Sequence, residues 1–278
     1  MSTSLKFAIV NPAENDDVWQ SIRAEVAEEV ARTPMLASFL HATVLKHNRL
    51  EDALSFHLAN KLAAPSLQEM SIREMFDEAF AEPRIGEAIR ADLRAVRERD
   101  PAAREFSVPF LYFKGFLALQ AYRVAHHLWM TNARSMAVYM QSRISEVFAV
   151  DIHPAARIGS GILLDHGTSI VIGETAVVGD DVSILHEVTL GGTGKSCGDR
   201  HPKVHCGVLI GAGAKVLGNI VIGEGAKIGA GSVVLDPVAP HTTVAGVPAR
   251  VVGRPEVARP ALEMNQCFQH EFYDGDGI

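Results

Sequence analysis

The sequence predicts an α+β architecture, in which an α-helical first half is followed by a parallel β-helix. Three observations support this prediction. Of the 23 glycines, only Gly86 and Gly115 precede residue 150. Aromatic residues show the reverse distribution, because none occurs between Phe148 and Phe268 in a chain that is 6% aromatic. The second half also carries a six-residue repeat, which is typical of a solenoid.

The overall composition excludes several classes of protein. The chain has 278 residues, 47% of them apolar, with a formal net charge of −7. A mildly acidic chain of this length has ample core for two domains and is a poor candidate for nucleic-acid binding. No stretch approaches the ~18 apolar residues of a membrane span, and no early segment resembles a signal peptide. We therefore expect a cytoplasmic protein that binds neither nucleic acid nor a membrane.

The first half is patterned as helices. Val18, Ile22 and Val26 fall on one helical face, and prolines divide the stretch at intervals that suit helices. This pattern predicts six to eight helices in an α-helical domain over residues 1–149. The last two helices are expected at about 110–129 and 133–148.

The second half repeats an aliphatic residue every six positions. Runs of three, four and five hexads begin at Ile152, Ile172 and Ile210. Three hexads form one triangular coil, with the aliphatic side chains inside and small residues at the corners. Large aromatic rings do not fit so thin a prism, which explains their absence. We expect the prism to occupy residues 150–260, with about four coils.

The repeat is interrupted twice. Two extra residues lie between Leu164 and Ile172, and 20 positions separate Leu190 from Ile210. The second interruption contains a polar, irregular segment, 191–207, which predicts a loop ejected from the coil. Long loops on a rigid scaffold often carry function, so this segment is a candidate for part of the site.

Several motifs, taken together, carry a family resemblance. They are Pro34-Met-Leu-Ala-Ser-Phe, Arg99-Asp-Pro-Ala, Val150-Asp-Ile-His-Pro, Leu164-Asp-His-Gly-Thr, Thr189-Leu-Gly-Gly-Thr-Gly-Lys, Asp199-Arg-His-Pro-Lys and the terminal Asp276-Gly277-Ile278. With the hexads, they resemble the bacterial serine O-acetyltransferases, a family of hexapeptide-repeat acyltransferases. The resemblance covers roughly residues 15–278. It implies an oligomerisation role for residues 1–149, a left-handed β-helix catalytic domain over 150–260, and a flexible partner-binding tail over 261–278.

The resemblance also implies a reaction and its catalytic residues. Acetyl-CoA would acetylate the hydroxyl of L-serine to give O-acetylserine and CoA, the first step of cysteine biosynthesis. A serine hydroxyl is a weak nucleophile, so a general base must take its proton. The family's base matches His166, and the carboxylate that orients this base matches Asp151.

The binding residues follow from the same resemblance. Carboxylates suit the serine ammonium and arginine suits its carboxylate. The matching positions for serine, and for inhibitory cysteine, are Asp100, Asp165, Arg200 and His201. Those for acetyl-CoA are Gly192, Ala212 and Ala230. Acetyl-CoA is a co-substrate in this reaction, and we expect no metal and no resident cofactor.

The family also implies an assembly. Its members trimerise through their prisms and pair trimers through the helical domains, so we expect a homo-oligomer, a hexamer built as a dimer of trimers. The final Ile278 is expected to bind O-acetylserine sulfhydrylase.

Three other interpretations remain open at this point. A hexapeptide acetyltransferase that modifies a sugar or antibiotic hydroxyl would keep His166 without needing Asp100, Arg200 or Ile278. A γ-type carbonic anhydrase would need three histidine ligands and a zinc-like ion, for which the chain offers His153, His166, His201 and His205. A non-enzymatic protein would only regulate a sulfhydrylase through its tail. Cys197 and Cys206 receive no role from the sequence, and His186, on a coil next to the site, is expected to be structural or to line the pocket.

Overall fold

The predicted fold class is confirmed. The computed structural model describes residues 16–194 and 197–267, with helices followed by short parallel strands. The helices that precede the strands are α1 (Asp17–Arg32), α2 (Ala37–Leu40), α3 (Leu50–Leu62), α4 (Glu69–Phe80), α5 (Pro83–Arg99), α6 (Ser107–Tyr112), α7 (Lys114–Met130) and α8 (Arg134–Phe148). A 3₁₀ turn (Pro34–Leu36) and a π-helical turn (His41–Leu45) flank α2.

Helix α7 forms the centre of the helical part. Every residue of α7 from Gly115 to Ala125 is buried, and a helix buried on all sides must be surrounded by other elements. Phe113 is extended and separates α6 from α7. The helix predicted at about 110–129 therefore begins later, at Lys114.

The second part is a triangular prism. Its strands are β1 (Val150–Ile152), β2 (Arg157–Ile158), β3 (Leu163–Leu164), β4 (Ile170–Ile172), β5 (Val177–Val178), β6 (Ser183–Ile184), β7 (Thr189–Gly191), β8 (Lys203–Val204), β9 (Leu209–Ile210), β10 (Lys215–Leu217), β11 (Val221–Ile222), β12 (Lys227–Ile228), β13 (Val233–Val234), β14 (Thr243–Gly246) and β15 (Ala249–Gly253). Three sheets form its sides. Face I contains β1-β4-β7-β10-β13, face II contains β2-β5-β8-β11, and face III contains β3-β6-β9-β12-β14 with β15 antiparallel at its edge.

The prism has five coils instead of the expected four or so. Face I contributes five strands, one to each coil. Val204 lies buried in β8, within the stretch assigned to the ejected loop. Val238 and Val244 are buried and complete the fifth coil, beyond the end of the hexapeptide pattern. The sequence pattern missed a coil because Val204 follows Leu190 by fourteen positions and Val238 follows Val234 by only four, so neither continues the six-residue spacing.

The two parts join without a linker, since α8 ends at Phe148 and β1 begins at Val150. After the prism, the short helix α9 (Pro260–Glu263) folds back against α5 and β9, and Ala261 is fully buried there. Residues 261–267 of the predicted tail thus contact the prism. Residues 268–278, with Ile278, lie outside the described residues. No helix within 16–194 or 197–267 is long and apolar enough to cross a membrane.

Candidate active site

Four of the residues around the candidate site lie along one edge of the prism, which we call corner A, where face III leads into face I. The strand register aligns Leu163 with Ser183, Leu209 and Lys227 in successive coils. The residues three positions further on are His166, His186, Ala212 and Ala230, which therefore stack in that order. Neighbouring strands are about 4.8 Å apart, so the two alanines extend the line that begins at His166.

His166 lies in an enlarged turn. The connection from β3 to β4 contains the two extra residues that interrupt the repeat, and His166 adopts a left-handed backbone with φ 56°. Its side chain is 76% exposed, and its Nε2 lies 3.9 Å from Oδ1 of Asp165. The His186 ring stands edge-on to it, with centroids 5.7 Å apart. His166 is thus an accessible imidazole beside a carboxylate.

His186 is the residue that the sequence places on a coil next to the site without assigning it a chemical role. Its Nδ1 is buried and has no hydrogen-bond partner among the described residues. It occupies a regular position in the repeat, so no interruption marked it. Its place beside His166 follows only from the register of the coils.

Two predicted serine-binding carboxylates meet at corner A. Burial raises the pKa of Asp165, and the nearby charge of Asp100 raises it further, while His166 and His186 oppose this shift. Asp100 directly follows α5, and its Oδ1 accepts a hydrogen bond from the N–H of Ala102 at 2.8 Å. Two like charges held together in this way suit a cationic ligand.

Asp151 lies in the middle of β1 on face I, paired with Val171 of the next coil. Its Oδ1 accepts a 2.7 Å hydrogen bond from Nε2 of Gln141, a residue of α8. Among the described contacts, Asp151 is not hydrogen-bonded to His166. Gln141 is a residue that sequence reasoning missed, because nothing in a helical pattern indicates a contact with a distant strand.

The remaining predicted residues lie at another edge, corner B, where face I leads into face II. Arg200 donates a 2.6 Å hydrogen bond to Oε2 of Glu174, and this bond holds the pKa of Glu174 below its usual range. A Cβ added at Gly192 would approach the Arg200 side chain at 3.7 Å, so the two residues are neighbours. Corner B therefore places the partly exposed guanidinium of Arg200 beside the glycine backbone at Gly192.

His201 is packed tightly into corner B. It is 7% exposed, and a Cβ at Gly173 would collide with its ring. The Thr175 N–H donates to Nδ1 of His201 at 3.1 Å, so in the neutral ring the proton is on Nε2. Burial, followed by the charge of Arg200, lowers the pKa of His201, which favours this neutral form.

One chain therefore divides the predicted site between two edges. Corner A has Asp100, Asp165, His166, Ala212 and Ala230, whereas corner B has Gly192, Arg200 and His201. Asp151 lies on face I between them. One side of a coil is about six residues long, which at about 3.3 Å per residue separates the corners by up to roughly 20 Å. A single small substrate cannot touch both corners of the same chain.

The loop histidines and cysteines do not form an obvious metal site. Within the described ranges, no three His, Cys, Asp or Glu side chains are grouped to hold a metal ion. The described cysteines are free thiols, with Cys197 exposed and Cys206 half-buried.

A prism of hexapeptide repeats with an exposed histidine on its edge defines the class of hexapeptide-repeat acyltransferases. In agreement, residues 201–236 match the family model "Bacterial transferase hexapeptide (six repeats)", and residues 18–121 match "Serine acetyltransferase, N-terminal". The serine acetyltransferase of Salmonella typhimurium is 58% identical over 269 residues, which cover 95% of this chain and 98% of that protein. The chain belongs to the serine acetyltransferase family.

Two solved structures of this family are similar to the chain and carry ligands. Serine acetyltransferase from Brucella abortus in complex with coenzyme A has a TM-score of 0.85 and 53% identity, covering 87% of this chain and 97% of that one. Serine acetyltransferase from Neisseria gonorrhoeae in complex with serine has a TM-score of 0.83 and 52% identity, covering 86% and 98%.

Proposed function

We propose that this protein transfers the acetyl group of acetyl-CoA to the hydroxyl of L-serine, producing O-acetyl-L-serine and CoA. The observation that carries the proposal is the arrangement of corner A. There the exposed His166 has the carboxylates of Asp100 and Asp165 on one side and the small residues Ala212 and Ala230 on the other. The relatives with bound coenzyme A and bound serine support both substrates. Acetyl-CoA serves as co-substrate, and the proposal includes no resident cofactor or metal.

His166 acts as the general base in this proposal. The serine Oγ attacks the thioester carbonyl carbon while His166 takes the hydroxyl proton. The tetrahedral intermediate then collapses, the C–S bond breaks, and His166 returns the proton to the departing CoA thiolate. A backbone N–H near Gly192 stabilises the oxyanion, since no side chain there obstructs the approach.

Asp151 orients His166 and stabilises the imidazolium. Gln141 occupies only one oxygen of Asp151, so the other remains available to the ring. Contact requires a rotation of the His166 side chain, for which its high exposure leaves room.

Substrate recognition uses both corners. Asp100 and Asp165 bind the serine ammonium, while Arg200 and His201 bind its carboxylate. Ala212 and Ala230 let the extended pantetheine of acetyl-CoA lie close to the coils above His166. The same acidic and arginine residues would accept inhibitory cysteine.

The division of the site between two corners supports a trimer. If corner B of one subunit lies against corner A of its neighbour, each interface contains a complete set of residues. Two trimers then pair through the helical domains to give a hexamer. Exposed apolar residues near α2, with Met35 at 94% and Phe39 at 39% exposure, suit such a contact.

The tail supplies a partner site in this proposal. The terminal Asp276-Gly277-Ile278 supports binding of Ile278 to O-acetylserine sulfhydrylase. Deletion of Ile278 should abolish sulfhydrylase binding in titration calorimetry and leave acetyl transfer intact. Unchanged affinity of the truncated chain would contradict this role.

The acetyl transfer is tested by free-thiol release from acetyl-CoA with L-serine, L-homoserine or a galactoside as acceptor. We expect serine to be strongly preferred, and His166→Ala to lower the rate by about 10²–10⁴-fold, the usual contribution of a general base. His205→Ala, which alters an exposed histidine outside both corners, is the matched control and should keep full activity. Preference for the galactoside would indicate a sugar acetyltransferase instead, and full activity of His166→Ala would overturn the mechanism.

A further inference from the structure

An arginine at the end of α5 is buried without touching the substrate residues. The Arg99 side chain is only 3% exposed, although it directly precedes Asp100. Its Nε is buried and lacks a hydrogen-bond partner among the described residues. Burying a guanidinium in this way is costly, so its position calls for an explanation.

Arg99 fastens the end of α5 to the second coil of the prism. Its Nη2 donates to Oδ1 of Asp181 at 3.2 Å, and its Nη1 donates to Oγ of Ser183 at the same distance. The Ser183 hydroxyl in turn donates to the carbonyl of Ala261. The other oxygen of Asp181 accepts from Arg259 at 3.2 Å. These contacts fix the last helical residue against the start of face III.

The position of Asp100 is fixed by the Arg99 contacts and by the packing around it. The N–H of Asp100 still bonds to the carbonyl of Val96, but its own backbone is extended, so the helix ends at the anchor, Arg99. Val96 and Ala103, on either side of Asp100, pack together with Leu163 of face III. Leu163 lies two residues before Asp165. Arg99 and this apolar cluster therefore set the distance between Asp100 and Asp165.

We propose that Arg99 is a positioning residue for serine binding, which holds the end of α5 on the second coil so that Asp100 stands beside Asp165. This inference rests on the proposed function, because it assumes that both carboxylates bind the substrate ammonium. Arg99 acts through Asp100 and takes no part in proton transfer.

The chain offers a close pair of variants for the test. Arg99→Met removes the anchor but keeps an unbranched side chain in the buried space, and Asp181 keeps Arg259 as its partner. Asp181 is 35% exposed and retains Arg259, so the substitution leaves no buried charge unpaired, and the variant should fold. Arg259→Met removes the other arginine from the same carboxylate without touching α5, and is the matched control.

We expect Arg99→Met to raise the KM for serine about tenfold, while kcat and the KM for acetyl-CoA stay within about twofold. Arg259→Met should leave all three within about twofold. Arg99→Lys keeps the positive charge on a single donor nitrogen, and should restore part of the serine affinity. A parallel loss in kcat and in both KM values would indicate general structural damage and overturn the proposal.

A binding measurement distinguishes a role of Arg99 in positioning Asp100 from general damage to the structure. Calorimetry without acetyl-CoA should show that wild type prefers L-serine to 3-hydroxypropanoate, which lacks the ammonium. In Arg99→Met this preference should shrink, because the displaced carboxylate no longer recognises the ammonium. An unchanged preference in folded Arg99→Met overturns the inference alone, whereas a wild type that neither binds nor acetylates serine overturns the proposed function.

Discussion

At the scale of single residues, the raised pKa of Asp165 links substrate binding to pH. Burial is the largest cause, and the charge of Asp100 adds to it. In the proposed function the serine ammonium needs the ionised carboxylate, and Asp165 becomes ionised only when the pH rises through its raised pKa. Serine binding should therefore strengthen with rising pH across that interval and then become constant.

Replacing Asp100 by asparagine tests this link. Loss of the neighbouring charge lowers the pKa of Asp165 toward its ordinary value, so the acidic decline of serine binding should move to lower pH. At neutral pH the affinity should fall about tenfold, or roughly 1.4 kcal/mol, because one charged partner of the ammonium is lost. Calorimetric titration of serine at several pH values measures both effects.

Glu98→Gln is the control for this experiment, since Glu98 is an exposed acid two residues from Asp100. It should leave the pH profile unchanged. An acidic decline at the same pH in Asp100→Asn and wild type would show that Asp100 does not influence Asp165.

The interruptions in the repeat are the part of the candidate site that can be read from sequence. Asp165 and His166 occupy the two-residue insertion, and Gly192, Arg200 and His201 occupy the longer interruption. A turn that leaves the regular repeat can present a side chain outside the packed corner. The hexapeptide register places His186 on the coil next to the site, whereas the contact of Gln141 with Asp151 depends on tertiary packing that no local pattern encodes.

At the scale of elements, one glycine explains how closely the two parts of the chain approach. Gly115, in the glycine-poor half, lies at the start of α7 against the prism. A Cβ at this position would collide with the Leu164 carbonyl oxygen, one residue before Asp165. The close approach of α7 to corner A thus requires glycine, although nothing in the helical pattern predicts it.

A buried ion pair joins α5, α7 and the first coil. Asp92 is fully buried, and its Oδ2 accepts from Nη2 of Arg123 at 2.6 Å. Its Oδ1 accepts from the N–H of Ile162, while Arg123 also donates to the carbonyl of Gly159. The pair therefore ties two helices to the backbone of the prism.

Removing one partner should strongly destabilise this junction. Asp92→Ala leaves the Arg123 charge buried without its carboxylate, so we expect the free energy of unfolding to fall by about 3–5 kcal/mol. Arg94→Met, in the same helix as Asp92, removes an exposed pair with Asp17 of α1, and should change the free energy of unfolding by only about 0.5 kcal/mol. Denaturant unfolding monitored by circular dichroism compares the two. Equal losses would show that burial does not determine the contribution of the pair.

Local sequence signals predicted that the helices exist better than they predicted the residues at which the helices begin. Ser66-x-x-Glu69 and Ser71-x-x-Glu74 both match a capping box and predict a helix start near one of them, and α4 begins nearby at Glu69, with Gln68 as its N-cap. The Ser66 hydroxyl instead contacts the Tyr139 hydroxyl at 2.8 Å. A tertiary contact with α8 thus replaces the local cap, and such competition cannot be seen in a four-residue motif.

At the scale of the whole molecule, the split in composition reflects two kinds of core. The bulkiest fully buried side chains include Trp19, Tyr122, Phe76 and Phe110, all within the helical part. In the described part of the prism the buried hydrophobic residues are aliphatic, such as Ile172, Ile184 and Ile210. This division was predictable, because a coil with six residues per side has no room for rings. The placement of the site on two corners was not, since it depends on which turn each interruption enlarges.

The two corners make a prediction about mixed oligomers. His166→Ala disables corner A and Arg200→Ala disables corner B, so each homo-oligomer should be inactive at low serine. In trimers assembled from equal amounts of both, about a quarter of the interfaces join an intact corner A to an intact corner B. Thiol release should then recover to roughly that share of the wild-type rate. Asp165→Ala mixed with His166→Ala should recover nothing, because both changes lie at corner A. Failure of the first mixture to regain activity would show that one chain builds its site alone.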